Sequence, residues 1–126
     1  MSLSHTYETT TLTWLFPTSA ATRPTAWFLA LYTVAPTDST AGTEVTGGSY
    51  ARQAVTMTVT GDTASNSATV EWPAASASWG TVVAASIMDA STGGNIISYG
   101  ALTTSKTVSS GDVFRFPAGD FDITLN

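Results

Sequence analysis

Apolar and polar residues alternate along this chain in short runs broken by glycine and proline. The cleanest run sets Val55, Met57 and Val59 against Thr56, Thr58 and Thr60. A period of two predicts a strand over about residues 52–60, one face buried and one wet, stopping at Gly61-Asp62. The stretch before it, GTEVTGGSYA, reads as a loop punctuated by Gly42, Gly47 and Gly48. Upstream, WFLALYT from Trp27 is apolar on both faces, as a central strand would be, and ends at the turn formers of APTDSTAG. Downstream, TASNS reads as a polar connection. Ala68, Val70 and Trp72 then alternate with Thr69 and Glu71 until Pro73 halts the strand. WGTVVAASIMDA is nearly apolar throughout and predicts an internal strand, and STGGN is a hairpin turn from which NIISYGAL returns. A short edge segment around residues 106–108 follows, then VFRF. After a Pro117–Gly119 turn, the closing strand 120–125 points Phe121, Ile123 and Leu125 inward.

The first 26 residues break this rhythm. Leu12, Trp14, Leu15 and Phe16 form an apolar cluster between two Thr-rich runs, and Leu12, Leu15 and Phe16 have the i, i+3, i+4 spacing of one helix face. A short helix ending before Pro17 is predicted, against the β-branched run Thr9–Thr11. The organisation read from the chain is an N-terminal arm, residues 1–26, and a β-sandwich domain, residues 27–126. Short strands with a turn signal about every ten residues, and no long helical pattern, make the fold class all-β, an antiparallel β-sandwich of about seven strands.

Composition changes the picture in one respect. Charged residues make up only 10% of the 126, and Thr and Ser, at roughly a third, coat the surface in their place. A hydroxyl-rich surface costs less to dehydrate than an ionic one, which favours a protein packed against neighbours. Nine acidic and four basic residues leave a net charge of −5, so nucleic acid and anionic membranes are not expected partners. There is no cysteine for a disulfide or thiolate site, and no apolar run of about 20 residues to span a membrane. Nor do the first residues have the basic-then-apolar form expected of a signal peptide.

Candidate chemistry is thin. His5 is the only histidine and lies near the terminus, with no obvious scaffold for a catalytic or metal-binding role. Asp120 and Asp122 share one strand face near Asp112, without the clustered loop a calcium site uses. Gly47-Gly48 and Gly93-Gly94 lack a following Lys-Ser/Thr and read as turns. Trp27, Trp72 and Trp79 sit on or beside strands and read as core or subunit contacts, whereas Trp14 has no domain core around it. No catalytic residue, cofactor or metal is expected, and the chain is not expected to be an enzyme.

Several linked motifs carry a resemblance. They are LYTVAPTD, GTEVTGGSYAR, WPAASASWGTV, DASTGGN and GALTTSKTVSSGD, spread over about residues 27–125. In these the chain resembles a family of small tailed-phage virion proteins commonly labelled phage tail fibre proteins. Its arm differs, since TTTLTWLF stands where relatives carry a polar, acidic helix. The resemblance implies a virion structural protein on the outside of the particle, a homo-oligomer and in the first instance a homotrimer. Capsid decoration (a cement role against the major capsid protein) is the first expectation. The alternative is a short tail or neck fibre or baseplate component, with receptor or glycan binding open to it. Leu12, Trp14, Leu15, Phe16 and Arg23 of the arm are the expected interface residues.

Overall fold

The computed structural model describes residues 2–17 and 19–125. Its backbone is a sheet of one large layer covered on one face by two smaller sheets, all paired antiparallel. The expected antiparallel β-sandwich is what the chain builds, from more and shorter strands than its pattern suggests.

The large sheet is centred on β2 (Phe28–Val34) and β8 (Gly80–Met88), the two most apolar segments of the chain. β9 (Ile96–Val108) lies outside β8, and β1 (Ser2–Leu3) completes that edge. On the other side, β3 (Thr43–Glu44) and β4 (Gln53–Ala54) pair successive parts of β2. The covering layer holds β5 (Met57–Thr60), β6 (Thr63–Asn66) and β11 (Asp122–Thr124) in one sheet, β7 (Val70–Glu71) and β10 (Arg115–Phe116) in the other.

Alternation decides what lies between the layers. Leu29 and Leu31 of β2 and Val82, Ala85 and Ile87 of β8 point to one face, all at most 2% exposed. Opposite them stands an aromatic chain, Trp72, Phe114, Phe116 and Phe121. Consecutive rings meet edge to face at 5.5, 5.3 and 5.9 Å, each contact contributing about 0.5–1.5 kcal/mol beyond area burial. The other face of the large sheet buries Ala30, Tyr32, Ala84, Ser86 and Met88, with the Tyr32 hydroxyl 2.9 Å from Ser86 Oγ.

Three expectations need correcting. The run 52–60 is not one strand but two in different sheets: β4 pairs β2, the chain crosses at Val55–Thr56, and β5 pairs β6. Val55 and Met57 do face the core, but Val59 is 72% exposed, because the β5–β6 hairpin runs past the end of the core. The Leu125 side chain is 53% exposed for the same reason, although its N–H donates to the Asp62 carbonyl at 3.0 Å, while Phe121 is fully buried.

The second correction is TASNS, which contributes strand β6 rather than a connection. No apolar alternation marks it; the turn at Gly61-Asp62 folds it onto β5, and buried Asn66 fixes it. The Asn66 amide donates to the Ala68 and Pro117 carbonyls, both at 2.9 Å, and its oxygen accepts from the Phe121 N–H at 2.8 Å. Third, the segment around residues 106–108 is not a separate strand but the end of β9, reached through a register shift against β8.

Outward faces carry hydroxyls in place of ions. Thr81 and Thr107 face each other across β8 and β9 at 3.0 Å between Oγ1 atoms, as do Thr63 and Thr124 across β6 and β11. Among the described residues only Arg52 and Glu44 form an ion pair closer than 3 Å.

Candidate assembly interface

The N-terminal segment docks by backbone before it turns into a helix. Ser2 and Leu3 pair with Tyr99 and Ser98 of β9, and Ser98 Oγ donates to the Ser2 carbonyl at 2.7 Å. Ser4 then caps helix α1 (His5–Leu15): its Oγ accepts from the Tyr7 N–H and donates to the Ile96 carbonyl, while its N–H donates to the Ile97 carbonyl at 2.8 Å. Such a cap satisfies a donor that the first helical turn leaves unpaired. The helix therefore starts well before the apolar cluster that predicted it.

Two threonine hydroxyls fold back on the helix. Thr10 Oγ1 donates to the Thr6 carbonyl at 3.0 Å and Thr13 Oγ1 to the Thr9 carbonyl at 2.8 Å. Eleven residues of such composition are marginal as a helix in water without tertiary contacts. One contact comes from Tyr7, whose hydroxyl donates to Asp89 Oδ2 at 2.7 Å. Partial burial and this bond to a carboxylate push the Tyr7 phenol up to about 12. Asp89 is held below its usual range, since bonds from Asn95 and Tyr7 outweigh the cost of its burial.

Asp89 belongs to a hairpin that is itself clamped. Its Oδ1 accepts from the Asn95 N–H at 2.7 Å, closing the turn 89–95. From across the sheet, the Arg52 guanidinium donates to the Ala90 and Gly93 carbonyls at 2.9 and 2.8 Å. The same guanidinium forks onto Glu44 at 2.9 Å and 2.8 Å, and Glu44 also accepts from the Tyr50 hydroxyl at 2.7 Å. Burial alone would raise Glu44, but the Arg52 and Tyr50 bonds prevail and hold it below the usual carboxylate range. Two stretches quoted for their resemblance, GTEVTGGSYAR and DASTGGN, are thus the two halves of one polar clamp. Gly48 adds to it by close approach: its carbonyl accepts from Trp79 Nε1 at 2.9 Å, beside the Tyr50–Trp79 edge-to-face pair.

Beyond Tyr7 the helix is covered only in part, Thr10, Thr11 and Thr13 being half-buried beside the segment that carries Ala21 and Pro24. No residue of α1 is buried; Leu12 is 58% exposed, Trp14 72%, Leu15 54% and Phe16, at its C-cap, 70%. Trp14 forms one wall of a shallow, mostly apolar groove of about 210 Å³, with Tyr7 and Thr10 on its own side and Ala21, Arg23 and Pro24 opposite. At about 100° per residue, Leu12 falls on the far side of the helix from Trp14 and Leu15 between the two, while Phe16 has left the helical backbone. The expected interface residues are therefore all at the surface but do not form one patch. Trp14 and Arg23 share the groove, and Leu12, Leu15 and Phe16 do not line it.

His5 is exposed at the start of α1, with Nδ1 3.7 Å from Glu8. Asp122 lies on the wet face of β11 and accepts from Ser65 Oγ. Among the described residues, no three His, Cys, Asp or Glu side chains are grouped so as to hold a metal. Sequence reasoning missed Glu8, which lies four and seven residues before Leu12 and Leu15 on the same side of α1. It also missed Tyr7 and Asp89, whose pairing nothing in the local pattern signals.

A small all-β module whose terminal helix displays an uncovered apolar surface is the class that fold and site define. Residues 2–124 match the family described as Podophage GP4 fiber I protein gp80, and the chain belongs to that family. It is a phage virion structural protein of the fibre type. Comparison with characterised proteins found no match.

Proposed function

We propose that this protein is a tail or neck fibre component, attached and assembled through helix α1, in preference to a capsid decoration protein. The observation that carries the reading is the exposure of Leu12, Trp14, Leu15 and Phe16 on an element with no buried residue. At 72% and 70% exposure, Trp14 and Phe16 alone present about 300 Å² if each carries roughly 200 Å². With the two leucines the total is on the order of 500 Å², divided between the groove wall at Trp14 and the side chains outside the groove. Covering it is worth about 12 kcal/mol at 25 cal/mol per Å², before association costs of a similar size. That balance suits a contact made only where several subunits meet. The family name supports a fibre over a shell protein.

Copy number in purified particles tests the location. A few dozen copies or fewer fit a fibre, and several hundred would make the protein a shell component instead. Leu12→Ser with Phe16→Ser tests the helix. The variant should fold, with an unchanged far-ultraviolet strand signal, and be absent from assembled particles. Incorporation at the wild-type level would refute the role given to α1.

A further inference from the structure

The outer edge of β9 is only partly used. β1 pairs Ser98 and Tyr99, and past them the edge from Gly100 to Val108 has no strand against it among the described residues. Within that stretch Leu102–Ser105 have no partner in β8 either, because β9 runs from Ala101 to Lys106 where β8 runs only from Ala84 to Val82. Strand backbone left without a neighbour is a template for one.

The covering layer supplies a second wall. Arg115 and Phe116 of β10 stand across a cavity of about 390 Å³ from Ala101–Lys106 of β9, and β10 pairs only β7 among the described residues. A neighbouring cavity of about 520 Å³ lies between Ser2, Gly100 and Asp122. Ala101 and Asp120 border both, so the two make one groove along the edge. Gly100 to Val108 lies alongside Ala85 to Gly80, roughly 16 Å at about 3.3 Å per residue, the length of about six extended residues. We propose that this groove receives an extended segment of a different polypeptide, added antiparallel to β9 in line with β1. The segment carries an acidic side chain toward its N-terminus and a basic one about four residues later, on the same face.

Charge sets this order. Asp120 and Asp122 stand at the β1 end of the groove, Lys106 and Arg115 at the other. Neither cation is fully engaged. Arg115 is 3.5 Å from Glu71, both side chains being more than half exposed, and Lys106 gives one N–H to the Val113 carbonyl at 3.0 Å, with two more to offer. β1, on the same edge, already runs antiparallel to β9. A segment in that direction meets Lys106 and Arg115 first and the two aspartates last. The bulge in β9 blunts indiscriminate pairing, so the charged ends do the selecting. A second copy does not supply the segment. The only acid of this chain followed by a base within four residues is Asp112, before Arg115, and Arg115 is already held in β10. The surface is separate from α1, and its use does not depend on how the helix attaches.

The experiment is an amide-resolved NMR titration of the isotope-labelled full chain with two capped synthetic peptides of about eight residues. Both alternate Thr and Val; one has glutamate first and lysine about four residues on, the other has the two exchanged. The acid-first peptide should bind in the millimolar range or tighter. It should shift the Gly100–Thr107 amides and slow exchange at Leu102–Ser105 about fivefold or more at saturation. The base-first peptide should bind about fivefold more weakly. Arg115→Glu with Asp120→Lys, checked for an unchanged melt, should shrink that preference to within about twofold while keeping the same amides as the site. No shift with either peptide overturns the proposal, as do equal affinities for the two or shifts centred away from β9. Protection of the same amides by rising protein concentration alone would make a second copy the occupant and overturn it too.

Discussion

Replacing Arg52 by alanine probes the joint between the two halves of the polar clamp. The side chain is 9% exposed and makes four hydrogen bonds, two to Glu44 and two to the Ala90 and Gly93 carbonyls. Removing one member of a fully buried pair costs about 3–5 kcal/mol, because the remaining charge is left without a partner. Glu44 is 25% exposed and keeps the Tyr50 hydroxyl, which lowers the cost, while two carbonyls lose a donor, which raises it. A loss of about 3 kcal/mol follows. With an unfolding entropy of about 2.1 cal/mol/K per residue, 126 residues convert this to a fall in Tm of ~11 °C. Arg52→Lys should recover less than half, since an ammonium cannot fork onto a carboxylate and reach two carbonyls. Thermal melts of wild type, Arg52→Ala, Glu44→Gln and the double variant give the measurement as a double-mutant cycle. A loss below about 1 kcal/mol, or strictly additive effects, would refute the clamp as a unit.

Two further outcomes follow from the same region. Gly48 has φ +58, and a Cβ there would sit 2.7 Å from the Ala77 carbonyl oxygen and 2.8 Å from the Trp79 ring. Gly48→Ala should cost about 2–3 kcal/mol and alter the near-ultraviolet tryptophan signal, whereas Gly47→Ala should cost only about 1 kcal/mol. Gly47 shares the left-handed backbone at φ +75 but has nothing within 4 Å of a new Cβ; equal losses in chemical melts would show that the close approach is not the cause. The second outcome concerns pH. Because Glu44 is held below its ordinary value, its stabilisation is complete above the unfolded carboxylate value. It is lost as pH falls through the lower, folded one. Denaturant midpoints should drop between about pH 5 and pH 2, and Glu44→Gln should flatten part of that drop; an unchanged acid slope would contradict it.

The layout of the sandwich was legible wherever apolar residues recur with a strand period. β2 and β8 follow from runs such as FLALYT and VVAASIM, whose doubly buried positions show as unbroken apolarity. Legibility ended where polar groups hold the chain. β6 has no apolar period, and its strand is made by the Gly61-Asp62 turn and by Asn66 reaching across to residues 117 and 121. The break between β4 and β5 was hidden because alternation survives a change of sheet. At the helix, the apolar cluster at 12–16 marked the exposed end correctly. The anchored end was invisible, because Ser4 and Tyr7 act through partners more than 80 positions away.

Hydroxyl pairs such as Thr81–Thr107 and Thr63–Thr124 bear on how this molecule meets changes of medium. Salt weakens attraction between exposed charges but has little hold on neutral hydroxyls bonded to one another. A particle that leaves a crowded cell for dilute water carries, in this subunit, a coat with almost nothing to unscreen. Its fold should remain indifferent to that dilution, leaving ionic strength to be felt mainly at sparse charges such as Glu8 and Arg23.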